Sequence, residues 1–278
     1  MKKCAIRREV RGQRAVDGAG VHLVRVLGRG DTKEFDPFLM LDSFDSFNPE
    51  DYLAGFPTHP HRGIETITYL ISGEIAHEDS LGNRDTIRAG EAQWMTAGSG
   101  ILHQEMPQRS ERMLGLQLWL NLPRDEKMAP PTYLSILPEQ IGVEHREGAE
   151  IRVISGRLGE AVGVVPQHIK ASIYDISLEA GVAMDIPVDP AENAFVFLIE
   201  GGALVAGRQV GSKTAVLLGE GEAVTVAAPA QTPARLIFCS GKPLGEPIAW
   251  GGPIVMNTDE ELNHAFAELR QGTFIKHK

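Results

Sequence analysis

Two stretches of this 278-residue sequence answer each other at a nearly constant offset, and a chain that repeats itself in this way folds as two copies of one unit. Tyr69-Leu70-Ile71-Ser72-Gly73 corresponds to Phe197-Leu198-Ile199-Glu200-Gly201, and Ala89-Gly90-Glu91 to Leu218-Gly219-Glu220. Gly73 and Gly201 are 128 positions apart, and Gly90 and Gly219 are 129 apart. Both copies, residues 68–98 and 194–229, read as strand, Gly turn, strand, loop, strand, Gly-Glu turn, strand. The segment 123–138 lies between the copies and its prolines suit a linker, so the expected domains are residues 1–135 and 136–278.

β-branched and aromatic runs bounded by turn residues predict strands over Val21–Leu27, 64–71, Glu74–Asp79, Ala92–Thr96, 114–121, 151–155 and 171–178. Others follow at 194–199, Ala203–Val205, 215–218, Ala223–Ala227 and 236–239. Thirty glycines and seventeen prolines are spread along the chain, as many short elements with tight turns require. These features predict an all-β fold with one short C-terminal helix. The helix is marked by a capping box at Thr258 and Glu261, by Leu262, Ala265, Phe266 and Leu269 at helical spacing, and by Gly272 after them. Its apolar stripe should pack on a sheet face.

A formal charge of −10 disfavours contact with phosphate backbones, so no direct nucleic-acid binding is expected. Lys2, Lys3, Arg7, Arg8, Arg11 and Arg14 run against that balance and are read as solvated charges on an edge strand, which resist sheet-to-sheet pairing. They are also the one feature that would suit an electrostatic protein partner. Cys4 and Cys239 stand far apart and give no disulfide framework. No apolar run reaches the ~18 residues of a membrane span, and the reading is a soluble, reduced, cytoplasmic protein.

The chemistry lies in two motifs, His59-Pro60-His61 and His103-Gln104-Glu105. Side chains two positions apart on an extended backbone point to one face, so each pair converges, and two such pairs on neighbouring strands can meet around one ion. Three neutral imidazoles and a carboxylate suit a borderline divalent ion such as Fe(II), Mn(II), Ni(II), Cu(II) or Co(II), whereas Ca(II) and Mg(II) want mostly oxygen. His77-Glu78-Asp79 reads as a surface feature of a hairpin arm. His22, His145, His168, His264 and His277 have no such partners in sequence.

Phe56-Pro57-Thr58-His59-Pro60-His61-Arg62-Gly63-Ile64-Glu65-Thr66, and the run from Trp94-Met95-Thr96-Ala97-Gly98 to His103-Gln104-Glu105-Met106-Pro107, resemble signatures of the pirin family, a bicupin group. Phe38-Leu39-Met40-Leu41-Asp42 and the run Gly252 to Thr258 extend the resemblance over nearly the whole length. It implies two facing cupin-type antiparallel β-barrels, with one iron held in the N-terminal barrel by His59, His61, His103 and Glu105. It also implies a C-terminal barrel without metal ligands. In the ordinary cupin arrangement a carboxylate four positions after the second histidine completes the site, and Glu65 stands there. Glu105 is preferred because it shares a strand face with His103, which leaves Glu65 as a partner to a histidine N–H, a salt bridge at the core rim, or the alternative ligand.

Two functions are implied by the resemblance. One is oxidative cleavage of flavonols by dioxygen, of the quercetin 2,3-dioxygenase type, with Glu105 as the base that takes the flavonol hydroxyl proton. The other is a metal-dependent or redox-sensing regulatory role through protein partners, of the transcriptional coregulator type. Phe56, Trp94 and Met106 flank the motifs and are candidate apolar walls for an aromatic substrate.

Overall fold

The computed structural model describes residues 1–277. β-branched and aromatic runs make most of the chain strand, and the strands sort into two units of the same plan, each with a seven-stranded and a four-stranded antiparallel sheet. In the first unit the larger sheet runs in the order Thr132–Ile136, Ala92–Thr96, Ile64–Ser72, Met113–Asn121, Phe38–Ser46, Val21–Leu27, Gln13–Asp17. In the second it runs Ile6–Arg11, Thr214–Leu218, Asn193–Glu200, Ala234–Gly241, Ser172–Leu178, Ala149–Ser155, Gly142–Arg146. The third strand of each order ends at a glycine in the left-handed region, Gly73 with φ 99° and Gly201 with φ 67°. The repeat read from the sequence is thus a repeat of topology.

Each unit is a jelly roll rather than a closed barrel, since the first and last strands of each sheet remain edges. The second unit has a large apolar core between its sheets. Ile151, Ile176, Val196 and Phe238 from its large sheet pack with Met184, Ile186, Val205, Val224 and Val226 from its small one. The predicted strands all form, half of them with one or two residues added at an end.

The spatial units do not follow the linear division at residue 135. Residues 1–13 and 26–37 group with 138–243, and residues 14–25, 38–137 and 244 onward form the other unit. Hydrogen bonding gives the reason. Ile6–Arg11 pairs with Thr214–Leu218 as an edge strand, where Arg8 meets Asp31 and Glu34, Arg7 meets Glu34, and Lys3 meets Asp185. The basic run is largely neutralised there.

The segment 123–138 is not a free linker. Thr132–Ile136 adds an edge strand against Ala92–Thr96. Before it, Lys127 is buried and donates to the carbonyls of Gly63 (2.9 Å) and Val255 (3.0 Å) and to Asn121 Oδ1 (2.7 Å), while burial pushes its pKa down to about 7. Prolines at 130 and 131 masked the strand, although an edge position tolerates them at a strand's start.

The C-terminal helix, Asp259–Gln271, has the predicted capping box at Thr258 and Glu261 and ends at Gly272 in the left-handed conformation. Its apolar stripe meets Ile254, Met256 and Phe274. Through Glu268 it also reaches the corner that follows His61. The Arg62 guanidinium is buried and donates to Ser99 O (2.7 Å), Glu268 Oε2 (2.6 Å) and Phe274 O (2.8 Å). No helix among the described residues is long and apolar enough to cross a membrane.

Candidate metal centre

Three adjacent strands of the first unit's small sheet, Phe56–His61, Ile101–Pro107 and Glu74–Asp79, bring the polar residues into two rows. His103 stands opposite His59 on one side and Asp79 on the other; Glu105 stands opposite Phe56 and His77. The register shifts between His103 and Glu105 against the His59 strand, a bulge of the kind that re-aims side chains beside functional sites.

The ring centroids of His59, His61 and His103 are 4.4 to 4.9 Å apart. His59 Nδ1 lies 2.9 Å from Pro57 O, and His61 Nδ1 lies 3.1 Å from Pro253 O. A carbonyl only accepts, so each Nδ1 carries the proton and each Nε2 offers a lone pair. These two Nε2 atoms face one another at 3.0 Å. Facing lone pairs repel unless a cation or a proton lies between them. Both ring nitrogens of His103 are buried without a hydrogen-bond partner, which costs ~1–3 kcal/mol per orphaned group in the absence of an ion. Backbone carbonyls orienting imidazoles whose other nitrogens converge are the usual support of a metal centre, and the cluster fits a metal ion on these grounds.

Protonation reinforces the fit. Burial, followed by the charge of neighbouring His59, lowers His61 to about 3. Burial and then the other histidines hold His103 far below its usual range. Both stay neutral at physiological pH, the form a metal binds.

Glu105 is buried and held from three sides. Its Oε1 accepts from Thr68 Oγ1 (3.0 Å) and from Gln93 Nε2, and its Oε2 accepts from Gln117 Nε2 (2.8 Å). One nitrogen or oxygen from each of His77, His103 and Glu105 lies within 4.8 Å of the others, as do atoms of His59, His61 and His103. The structure therefore draws the four predicted residues into two overlapping triads that share His103. Thr68, Gln93 and Gln117 were not singled out from the sequence. The available signal was an amide within an apolar run, Gln93 in Ala92–Thr96 and Gln117 in Met113–Asn121.

His77 corrects the surface reading. It is buried, its ring is 5.4 Å from that of His103 and stacks on Tyr133 at 4.4 Å, and its Nε2 lies 3.2 Å from Asp79 Oδ2. His77 and Asp79 repeat the spacing of the other two pairs, and that spacing was the signal.

Strand parity places the remaining candidates. Glu65 is three residues from Thr68 on a regular strand, so it lies on the face opposite the one that meets Glu105; its Oε1 accepts from Thr96 Oγ1 at 2.8 Å. It joins neither triad. Trp94 adjoins Gln93 and Met106 adjoins Glu105, so both face away from the site side of their strands, contrary to the wall-lining expectation. Phe56 packs with Phe44, Leu70 and Ile75 in an apolar cluster of the first unit. The aromatic groups against the histidines are instead Tyr133 on His77 and Trp119, whose ring is 4.9 Å from His61, with Trp250 at 5.9 Å beyond it. His59 is partly open to solvent, whereas His61, His103 and Glu105 are buried.

In the second unit the corresponding strands pair Ile186 with Val224 and Met184 with Val226, and these side chains are core. Apolar packing fills the space that polar groups occupy in the first.

Comparison with known proteins agrees with this architecture. The Pirin family profile matches residues 20–120 and the Pirin C-terminal cupin domain profile matches residues 173–275. A pirin-like protein of Caulobacter vibrioides is 44% identical over 269 residues, covering 95% of this chain and 97% of its own. Human pirin is 38% identical, covering 91% of this chain and 88% of its own. The crystal structure of a quercetin 2,3-dioxygenase from Acinetobacter baumannii superposes with a TM-score of 0.89 at 29% identity, covering 98% of both chains. With two jelly-roll units of one topology, a buried histidine cluster in the first and these matches over nearly its full length, the chain belongs to the pirin family of cupins.

Proposed function

We propose that this protein is a metal-dependent dioxygenase that cleaves flavonol-type aromatics of the quercetin class, with a divalent ion, Fe(II) first among the candidates, held by His59, His61, His103 and Glu105. The observation that carries the reading is the pair of Nε2 lone pairs converging at 3.0 Å, with a buried carboxylate held by three hydrogen bonds and an indole in the same unit. A redox-active ion bound there supplies the Lewis acidity and electron exchange that oxidation by dioxygen needs.

The chain's own residues account for the rest. Pro57 O and Pro253 O fix the tautomers of His59 and His61, so their binding nitrogens are set before any ligand arrives. Thr68, Gln93 and Gln117 fix the Glu105 carboxylate, the proposed acceptor for the substrate's hydroxyl proton. Trp250, partly exposed and packed on the buried Trp119, offers a flat apolar surface suited to a planar polyphenol. Entry is from the His59 side, which is partly open to solvent. A cytoplasmic setting with both buried cysteines reduced belongs to the same reading.

The test is aerobic turnover of quercetin by Fe(II)-reconstituted protein, read as loss of visible absorbance and release of carbon monoxide, against His61→Ala. Metal-dependent carbon monoxide release supports the dioxygenase. A fully loaded protein that releases none overturns it, and a metal-dependent binding protein then becomes the better description.

A further inference from the structure

The metal reading uses His59, His61, His103 and Glu105 and leaves His77 unexplained. His77 is as buried as His61, and it belongs to a triad of its own with His103 and Glu105. Its Nε2 is engaged by Asp79 Oδ2 at 3.2 Å, and its Nδ1 is buried with no hydrogen-bond partner. An imidazole held at one nitrogen by a carboxylate, with its other nitrogen buried and unpartnered, has the carboxylate–histidine arrangement that supports a metal ligand. Asp79 is itself tied by the backbone N–H groups of Leu81 and Asn83 to Oδ1 and by the Asn83 amide, so the orientation of His77 is set by a fixed group.

His103 points the same way. Neither of its ring nitrogens has a partner, although a single ion uses only one of them. On one side His103 groups with His59 and His61, and on the other with His77 and Glu105.

We propose that the ion has a second seat in this unit, formed by His77, His103 and Glu105 with Asp79 orienting His77, next to the seat at His59 and His61 and sharing His103 with it. The inference rests on the metal-site reading above and extends it. One ion occupies one seat at a time, with Glu105 available to either. Two imidazoles and a carboxylate remain a suitable donor set for the same borderline divalent ions. The second seat lies deeper, since all three of its residues are buried whereas His59 is partly open. An ion displaced from the outer seat by an incoming chelating ligand therefore stays within the protein.

The experiment is equilibrium dialysis of the full chain against Co(II), read by metal analysis and by the cobalt visible spectrum, for wild type, His61→Ala, His77→Ala and His61→Ala/His77→Ala. Wild type and His77→Ala should each bind one ion through the outer seat. His61→Ala should still bind one ion, at least about tenfold more weakly and with a spectrum unlike the wild type's, and the double variant should lose at least about a further tenfold. Circular dichroism checks folding, and His59→Ala with its own His77→Ala double replaces the series if His61→Ala does not fold. Equal affinity of His61→Ala and the double variant overturns the second seat and leaves the outer site standing. No binding by wild type overturns both.

Discussion

His61 and His103 show what residue-scale chemistry the burial of an imidazole sets up. Each has a folded-state pKa below the 6.5 of a free histidine, His61 at about 3. Between those values the unfolded chain binds protons that the folded chain does not, so stability rises with pH across that window and is lost as pH falls below 6.5. For the metal-free protein, going from pH 6.5 to pH 5 should therefore cost on the order of 1–2 kcal/mol per buried imidazole. Urea unfolding at the two pH values checks this, and His61→Gln should remove part of the slope; an unchanged slope would refute the assignment. The polar residues of the site were only partly legible in the sequence. His59, His61, His103 and Glu105 stood out because each pair shares a strand face. His77 and Asp79 carry the same spacing, but nothing in the sequence told that the Glu74–Asp79 strand lies against the Ile101–Pro107 strand with polar faces together. Trp119, Gln93 and Gln117 come from strands whose apolar runs read as plain core.

The elements that hold the site lie far apart in sequence, and the C-terminal helix is the clearest case. Its cap was legible because Thr258 and Glu261 are local, whereas its pairing with Arg62, 206 positions away from Glu268, was not. Glu268→Ala should leave the buried Arg62 guanidinium without its carboxylate and destabilise the first unit by about 3–5 kcal/mol, measured by urea unfolding. A loss no larger than that of an exposed ion pair would show that Ser99 O and Phe274 O suffice for Arg62. Thr258→Ala should cost about 1 kcal/mol through loss of the cap alone. Gly63 tests the same corner from the other side. Its φ is 76°, and a Cβ there would lie 2.0 Å from Val255 O, so Gly63→Ala must displace the strand Ile254–Met256 and with it the preceding Pro253, whose carbonyl holds His61. That variant should lower metal affinity as well as stability, while a variant with lowered stability and unchanged affinity would separate the corner from the site.

At the scale of the whole molecule, duplication was the most legible feature, because turn glycines and strand runs recur at one offset however far the side chains have diverged. The exchange of terminal segments between the halves was not legible: strand pairing of residues 6–11 with 214–218 leaves no mark in either segment. Divergence between the units has a physical basis in their interiors, polar and histidine-rich in one and filled by Met184, Ile186, Val224 and Val226 in the other. A ligand that binds only the folded state adds RT ln(1 + [L]/Kd), about 4 kcal/mol at a thousandfold excess over Kd, so chelation should lower the melting temperature and added divalent metal should restore it. The most direct measurement of the central claim is the metal content of folded, purified protein for wild type and three variants. The account predicts that His61→Ala, left with only the weaker second seat, and Glu105→Ala, which takes a donor from both seats, come through purification with sharply lowered content, whereas Glu65→Ala keeps most of it. Loss of metal from Glu65→Ala together with its retention in Glu105→Ala would contradict the site described.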